Sequence, residues 1–315
     1  MGSSRIPRPL LLDCDPGLDD AIAILLALSA PDQLQLLGIT TVAGNVPLAL
    51  TQKNARKICE LVGRPDIPVY AGCPRPLLRP LVTAEEVHGP TGLAGPDLPE
   101  PCMPLQPEHG VDFLIRTLMQ AEQPITLAVT GPMTNIAVAL IKEPRICGHI
   151  EELVFMGGSA SEGNITPTAE FNVFVDPHAA HVVLTSGLKL TMVGLHLSHQ
   201  VVTTPERLQR IQALNTPVSD AVVKLISHHS RGDAEQFDLS GGPLHDPCVI
   251  AYLLQPELFV GQEFSVAVEL CGSETLGQTV VDRRRMRSDL ANVNVLMTAD
   301  VEGFYQLLIT SLEKY

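Results

Sequence analysis

Apolar residues in this chain come in short runs, separated by polar turns rich in Gly and Pro. Leu10–Leu12 is a compact triplet of the kind that forms a strand buried on both faces, and Leu34–Gly44 is a longer, β-branched run ending at Gly44-Asn45. Ile67–Tyr70, Ile125–Val129, Glu152–Met156, Lys189–Val193, Glu263–Leu270 and Asn292–Met297 read as further strands. Helices are predicted over Leu18–Leu28, Pro47–Val62, Glu108–Glu122, Met133–Ile141, Pro177–Ser186, Pro205–Ala213, Ser219–His229, Asp246–Leu254 and Ala299–Leu312. Ala71–Pro107, Ser159–Ala169 and Arg231–Pro243 read as loops. Alternating strands and helices predict an α/β fold, an open, mainly parallel sheet flanked by helices. With neither an internal repeat nor a linker-like break in composition, residues 1–315 are expected to form a single domain.

Composition narrows the function. The formal charge of −14 argues against binding a nucleic-acid backbone, which needs a basic face. Arg283, Arg284, Arg285 and Arg287 form one short basic run flanked by Asp282 and Asp289, read as solvated or ion-paired surface. Seven widely spaced cysteines include no CxxC pair that would suggest zinc or a redox dithiol. The chain has no signal peptide and no apolar run of about 18 residues, so no membrane partner and a cytoplasmic location are expected. Met1-Gly2 would invite myristoylation, but Ile6 stands where that motif needs Ser or Thr.

The candidate chemistry gathers where apolar strands end. Asp13, Asp15, Asp19 and Asp20 crowd the turn between the Leu10–Leu12 strand and the following helix. In an open α/β sheet, ligands bind at such carboxyl ends. A helix N-terminus offsets only about 0.3–1 kcal/mol per charge, too little for four carboxylates, so a hard cation with oxygen ligands is implied. One or two of these aspartates could instead be plain helix caps. Likewise, Thr130 before Gly131-Pro132 reads alone as a turn, and Asp246 before Pro247 as an N-cap. A second polar cluster, Asn164 to Asn172 with Glu170 inside it, supplies donors and acceptors suited to the vicinal hydroxyls of a sugar. Asp176 fits a helix cap and is left out of the site. His245, beside Asp246, and His88, in the loop, are placed for acid–base work near neutral pH. His228 and His229 are intermediate, and the other six histidines read as structural or exposed.

DCDPGLDDA, with TVAGN, AEFN and HDP further along, resembles the signature of the inosine–uridine-preferring nucleoside hydrolases. The resemblance implies a ribonucleoside substrate, N-glycosidic hydrolysis to free base and ribose, and Ca²⁺ held by Asp15, Asp20, the main-chain carbonyl of Thr130 and Asp246. It implies that Asn164 and Glu170 bind the 5′-hydroxyl, while Asn172, Asp19, Asn45 and Asp246 bind the 2′- and 3′-hydroxyls. It places His88 against the base, makes His245 the proton donor to the leaving base and Asp15 the base that activates water. Such enzymes are commonly homodimers or homotetramers. Two rival readings are a non-catalytic calcium- or nucleoside-binding protein and a haloacid-dehalogenase-type phosphatase. The phosphatase also begins with strand-DxD, but Pro16-Gly17 follows the pair here.

Overall fold

The computed structural model describes residues 6–237 and 241–315. Its main sheet has eight strands: β1 (Arg8–Cys14), β2 (Leu34–Thr41), β3 (Val69–Ala71), β4 (Ile125–Val129), β5 (Ile150–Met156), β6 (Leu190–Val193), β7 (Phe259–Phe264) and β8 (Val293–Ala299). Their order is β3-β2-β1-β4-β5-β6-β8-β7, and every neighbouring pair is parallel except β7 with β8. The open, mainly parallel α/β sheet expected from the alternation is therefore observed.

Seven helices are labelled here: α1 (Leu18–Leu28), α2 (Leu48–Leu61), α3 (Gly110–Met119), α4 (Thr134–Lys142), α5 (Pro177–Leu184), α6 (Pro247–Leu254) and α7 (Val301–Leu312). Side chains on a strand alternate between its faces. Leu10 and Leu12 accordingly join the core packed by α1, α2, α6 and α7, while Leu11 joins the core packed by α3, α4 and α5. All 11 residues of α1 are buried, which is why its sequence carries no polar stripe. Among the described residues, no helix is long and apolar enough to cross a membrane.

This topology positions the site. The chain builds outward from β1 through β2 to β3, then returns to place β4 on the other side of β1. The strand order reverses between β1 and β4, and at such a switch point the loops diverge and leave a crevice.

Several elements differ from the sequence expectation, among them the expected loop Ala71–Pro107, which carries a one-turn helix at Glu85–His88. Glu263–Leu270 splits into β7 and Val266–Val268, which pairs with Thr279–Val281 instead of the main sheet. Asn292 holds the break: its N–H donates to Phe264 O (3.0 Å) and its Oδ1 accepts from Val266 N (2.8 Å). The expected loop from Arg231 begins as helix, because Pro217–Phe237 is continuous through Gly232. An internal glycine costs a helix about 1 kcal/mol and does not by itself end it. Residues 238–240 of that expected loop lie outside the described residues, and Gly242–Pro243 pairs with Val202–Thr203. Finally, Phe171–Val175 and Leu195–Ser198 are short helices of one turn or so that periodicity does not register.

Asp13 shares the face of Leu11 and so points towards α4. Its Oδ1 accepts hydrogen bonds from Thr40 Oγ1 on β2 and from Asn135 Nδ2 on α4 (2.7 Å). Asn135 also donates to Thr41 O (3.1 Å) and accepts from Cys73 N (2.7 Å), so one amide joins β1, β2, α4 and the long loop. Burial raises the Asp13 carboxyl to about 7, against the lowering effect of these two donors. Asp13 thus belongs to the fold and not to the cluster of carboxylates that its sequence neighbours form. Asn135→Ala leaves several buried polar groups without partners. The expected loss is roughly 2–3 kcal/mol of stability, measurable as a lowered denaturation midpoint.

Candidate active site

Asp15 follows β1 and is fully buried. Its Oδ2 accepts from Asn45 N (2.7 Å). Among the described residues, its Oδ1 has no hydrogen-bond partner. Two glycines make room for the carboxylate: a Cβ on Gly44 would lie 2.0 Å from Oδ2, and one on Gly131 would lie 2.6 Å from Oδ1. Backbone from the ends of β2 and β4 therefore clasps Asp15 from both sides.

Asp20 sits at the third position of α1. Its Oδ2 accepts from Gly17 N (3.0 Å), closing the helix start, and from Asn45 Nδ2 (3.1 Å). Its Oδ1 accepts from Thr130 Oγ1 (2.7 Å). Asp246 lies immediately before Pro247, the first residue of α6, and its N–H points to Asp19 Oδ2 (3.4 Å). One oxygen each from Asp19, Asp20 and Asp246 falls within 4.8 Å of the others, and all three residues are buried.

These acids raise one another's pKa. Burial first, then repulsion from Asp19, lifts Asp20 to about 6. Asp15 is pushed well above the carboxylate range by burial and then by Asp20, and Asp246 by burial and then by Asp19 and Asp20. No lysine or arginine lines the adjoining cavity among the described residues. A partnerless buried carboxylate oxygen beside three converging acids is a donor set that fits an oxygen-coordinated divalent cation. Asp19, expected on the sugar, stands within the cation-sized group. The Thr130 carbonyl, expected as a ligand, accepts from Asn172 Nδ2 (2.8 Å).

A cavity of about 200 Å³ opens over this cluster. Asp19, Asn45, His88, Thr130, Asn164, Glu170, Asn172, His245 and Asp246 all line it, so the structure brings together nine of the residues picked out in the sequence. Asp15 and Asp20 lie beside it, joined to it through Asn45 and Thr130. The polar wall comes from the short helix Phe171–Val175. Glu170 caps that helix, its carboxylate accepting from Asn172 N (2.8 Å), Val173 N (3.2 Å) and Gly158 N (2.7 Å). Burial raises Glu170, against those three N–H donors and the nearby His245. Asn164 Oδ1 accepts from Phe171 N (2.9 Å).

His88 Nδ1 accepts from Leu18 N (3.1 Å), the first N–H of α1. Its ring proton is then on Nε2. His245 Nδ1 lies 2.7 Å from Ser198 Oγ. Sequence reasoning missed the apolar wall of Ala84, Val87, Met156, Ile165 and Phe171, since ordinary apolar residues carry no local chemical signal. It also passed over His199, whose ring packs 5.8 Å from that of His245. Among the other histidines, His196 bonds Leu296 O and Ala160 N, and His109 caps α3. Asp176 is the cap that its position suggested, accepting from Ala179 N (3.0 Å). His228 does not line the cavity, and the side chain of His229 lies outside the described residues.

An α/β sheet that gathers buried acids, an Asn/Glu wall and a histidine around one cavity fits a hydrolase of sugar derivatives. The chain belongs to the inosine–uridine preferring nucleoside hydrolase family, whose model matches residues 10–306. It is 46% identical over 309 residues to a pyrimidine-specific ribonucleoside hydrolase of Shewanella woodyi, covering 98% of this chain and 99% of that one. A protein of the same name from Photobacterium profundum is 45% identical at the same coverage. Among solved structures, the purine-preferring ribonucleoside hydrolase of Gardnerella vaginalis superposes with a TM-score of 0.90 at 30% identity, covering 97% of this chain and 98% of that one. A plant nucleoside hydrolase gives the same TM-score at 29% identity, covering 98% and 99%. The chain is thus an N-glycosidase of ribonucleosides, and the phosphatase reading falls.

Two outcomes follow from the acid cluster. Carboxyls raised above their unfolded value of about 3.9 stabilise the fold fully below that pH, and the contribution is lost as pH rises through their folded values. A cation binding the ionised form reverses that loss. Any rise in Tm caused by an added divalent cation should therefore grow between about pH 5 and pH 8. A cation effect that does not change over that range would contradict the coupling. Gly131→Ala forces the backbone and the Asp15 carboxylate apart, so divalent-cation affinity measured by calorimetry should fall at least tenfold, roughly 1.4 kcal/mol.

Proposed function

We propose that this protein catalyses calcium-dependent hydrolysis of the N-glycosidic bond of ribonucleosides of the inosine–uridine type, with pyrimidine nucleosides preferred. One observation carries the chemistry: a single cavity brings together the edge of the acid cluster, the Asn/Glu wall and His245. The base preference rests on the relatives named pyrimidine-specific at 45–46% identity, which are nearer than the purine-preferring structure at 30%.

In this reading Asp15, Asp20, Asp246 and the Thr130 carbonyl would hold the ion, and Asp19 stands in the same cation-sized group as Asp20 and Asp246. When bound, calcium supplies a water of lowered pKa and positive charge near the sugar hydroxyls. Ca²⁺ acidifies water less than Zn²⁺ does, so a base is required. Asp15 takes the proton as the water oxygen bonds to the anomeric carbon. Cleavage of the C–N bond sends its electron pair to the base and leaves oxocarbenium character on the sugar. Asn164 and Glu170 hold the 5′-hydroxyl, and Asp19, Asn45, Asn172 and Asp246 hold the 2′- and 3′-hydroxyls. Binding that strengthens as the ring flattens lowers the barrier. His88 lies against the base. His245 donates a proton to the departing nitrogen, giving free base and ribose. Assembly as a homodimer or homotetramer and a cytoplasmic location are part of the same proposal.

Uridine, cytidine and inosine should all release base, the pyrimidines faster, and a calcium chelator should abolish release. Asp15→Asn should be inactive, and His245→Ala should lower kcat on uridine about 10²–10⁴-fold. No release from any common nucleoside by calcium-loaded protein would leave a binding protein on this fold.

A further inference from the structure

We infer that Ser198 is a positioning residue for His245, its hydroxyl holding Nδ1 so that Nε2 is the nitrogen that delivers the proton. This rests on the proposed role of His245, but the observation is independent of it. Ser198 is fully buried at the end of the helix Leu195–Ser198, directly after β6. It does not line the cavity, so it can act on the substrate only through a neighbour. Its Oγ is 2.7 Å from His245 Nδ1, yet 3.4 Å from the carbonyls of Gly194 and Leu195.

Those two carbonyls are already supplied by backbone. Gly194 O accepts from Leu197 N (3.0 Å) and Ser198 N (3.1 Å), and Leu195 O accepts from His199 N (2.8 Å). The helix therefore does not need the Ser198 hydroxyl, and the short bond is the one to His245. A hydroxyl both donates and accepts. It can accept Nδ1–H from a charged imidazole, turning its own hydrogen to Gly194 O or Leu195 O. It can equally donate to a bare Nδ1. The bond thus survives proton delivery, and the ring need not turn when its charge changes. The His199 ring, tilted 59° to that of His245, packs beside it. On the other side of the ring's own chain, His245 O accepts from Cys248 N (3.1 Å), which ties the residue to α6. Neither Ser198 nor His199 stood out in the sequence, because their partner is 47 positions from the serine.

The test compares two leaving groups. Uridine needs its base protonated, whereas p-nitrophenyl β-D-ribofuranoside expels a stable phenolate. Ser198→Ala should lower kcat on uridine roughly 10–100-fold, with KM changed less than about twofold, and leave kcat on the nitrophenyl riboside within about threefold. Ser198→Thr, which keeps the hydroxyl, should restore most of the uridine rate. Equal losses on both substrates, or no loss on either, would overturn the assignment. A readout without turnover separates this from the proposed function. The proton shared by Ser198 and His245 should give a slowly exchanging, downfield ¹H resonance that vanishes in both Ser198→Ala and His245→Ala, with the backbone spectrum retained. Persistence of that resonance in folded Ser198→Ala would defeat the inference even if the enzyme proved inactive on every nucleoside.

Discussion

Buried carboxylates that repel one another are the constraint on which this site is built. A helix N-terminus alone contributes about 0.3–1 kcal/mol per charge, and burial of an unpaired charge costs far more. The fold answers with short-range polar contacts. Asn45 bridges Asp15 and Asp20, Thr130 donates to Asp20, and two glycines admit Asp15 between the ends of neighbouring strands. Asp20 closes the start of α1 while belonging to the acid cluster, so the helix and the site cannot be separated.

Strand parity divides labour within three residues. Asp13 turns to the face of α3 and α4 and joins β1, β2 and α4 through Thr40 and Asn135. Two residues later the chain has left β1, and Asp15 faces the crevice where the strand order reverses. The same acid in the same short stretch is structural in one case and chemical in the other, decided by the pleat and the end of the strand. Glu170 combines both tasks in one side chain, accepting three backbone N–H groups while facing the cavity.

What was legible in the sequence was local. DCDPGLDDA carries its own strand end, turn and helix start, and HDP carries its own cap and Pro at the first helical position, so both announce their geometry. The wall from Asn164 to Asn172 was readable as chemistry but not as structure, since its helix of five residues is too short to show a period. Nothing local reveals that Asp246 comes to meet Asp19 from 227 positions away. The split at Ser265 depends on Asn292, and the continuation of helix through Arg231 depends on a glycine tolerated inside it. For the acid pair and the split strand, the deciding partner lies outside the window in which a pattern can be seen.

The two halves of the cavity have different origins, and that difference bears on base choice. Asp15, Asp19, Asp20, Asn45 and Thr130 sit in the turns and the helix start that follow β1, β2 and β4, while His245 and Asp246 lie just before α6. Part of the apolar wall, Ala84 and Val87, comes instead from the one-turn helix Glu85–His88 and its cap, in the long stretch between β3 and α3. Loops tolerate substitution where sheet ends do not. A relative named pyrimidine-specific and a structure named purine-preferring share the family or fold with this chain. Acids held at strand ends, with part of the apolar wall on a stretch outside the sheet, are an arrangement in which that wall can change while the acid cluster stays in place.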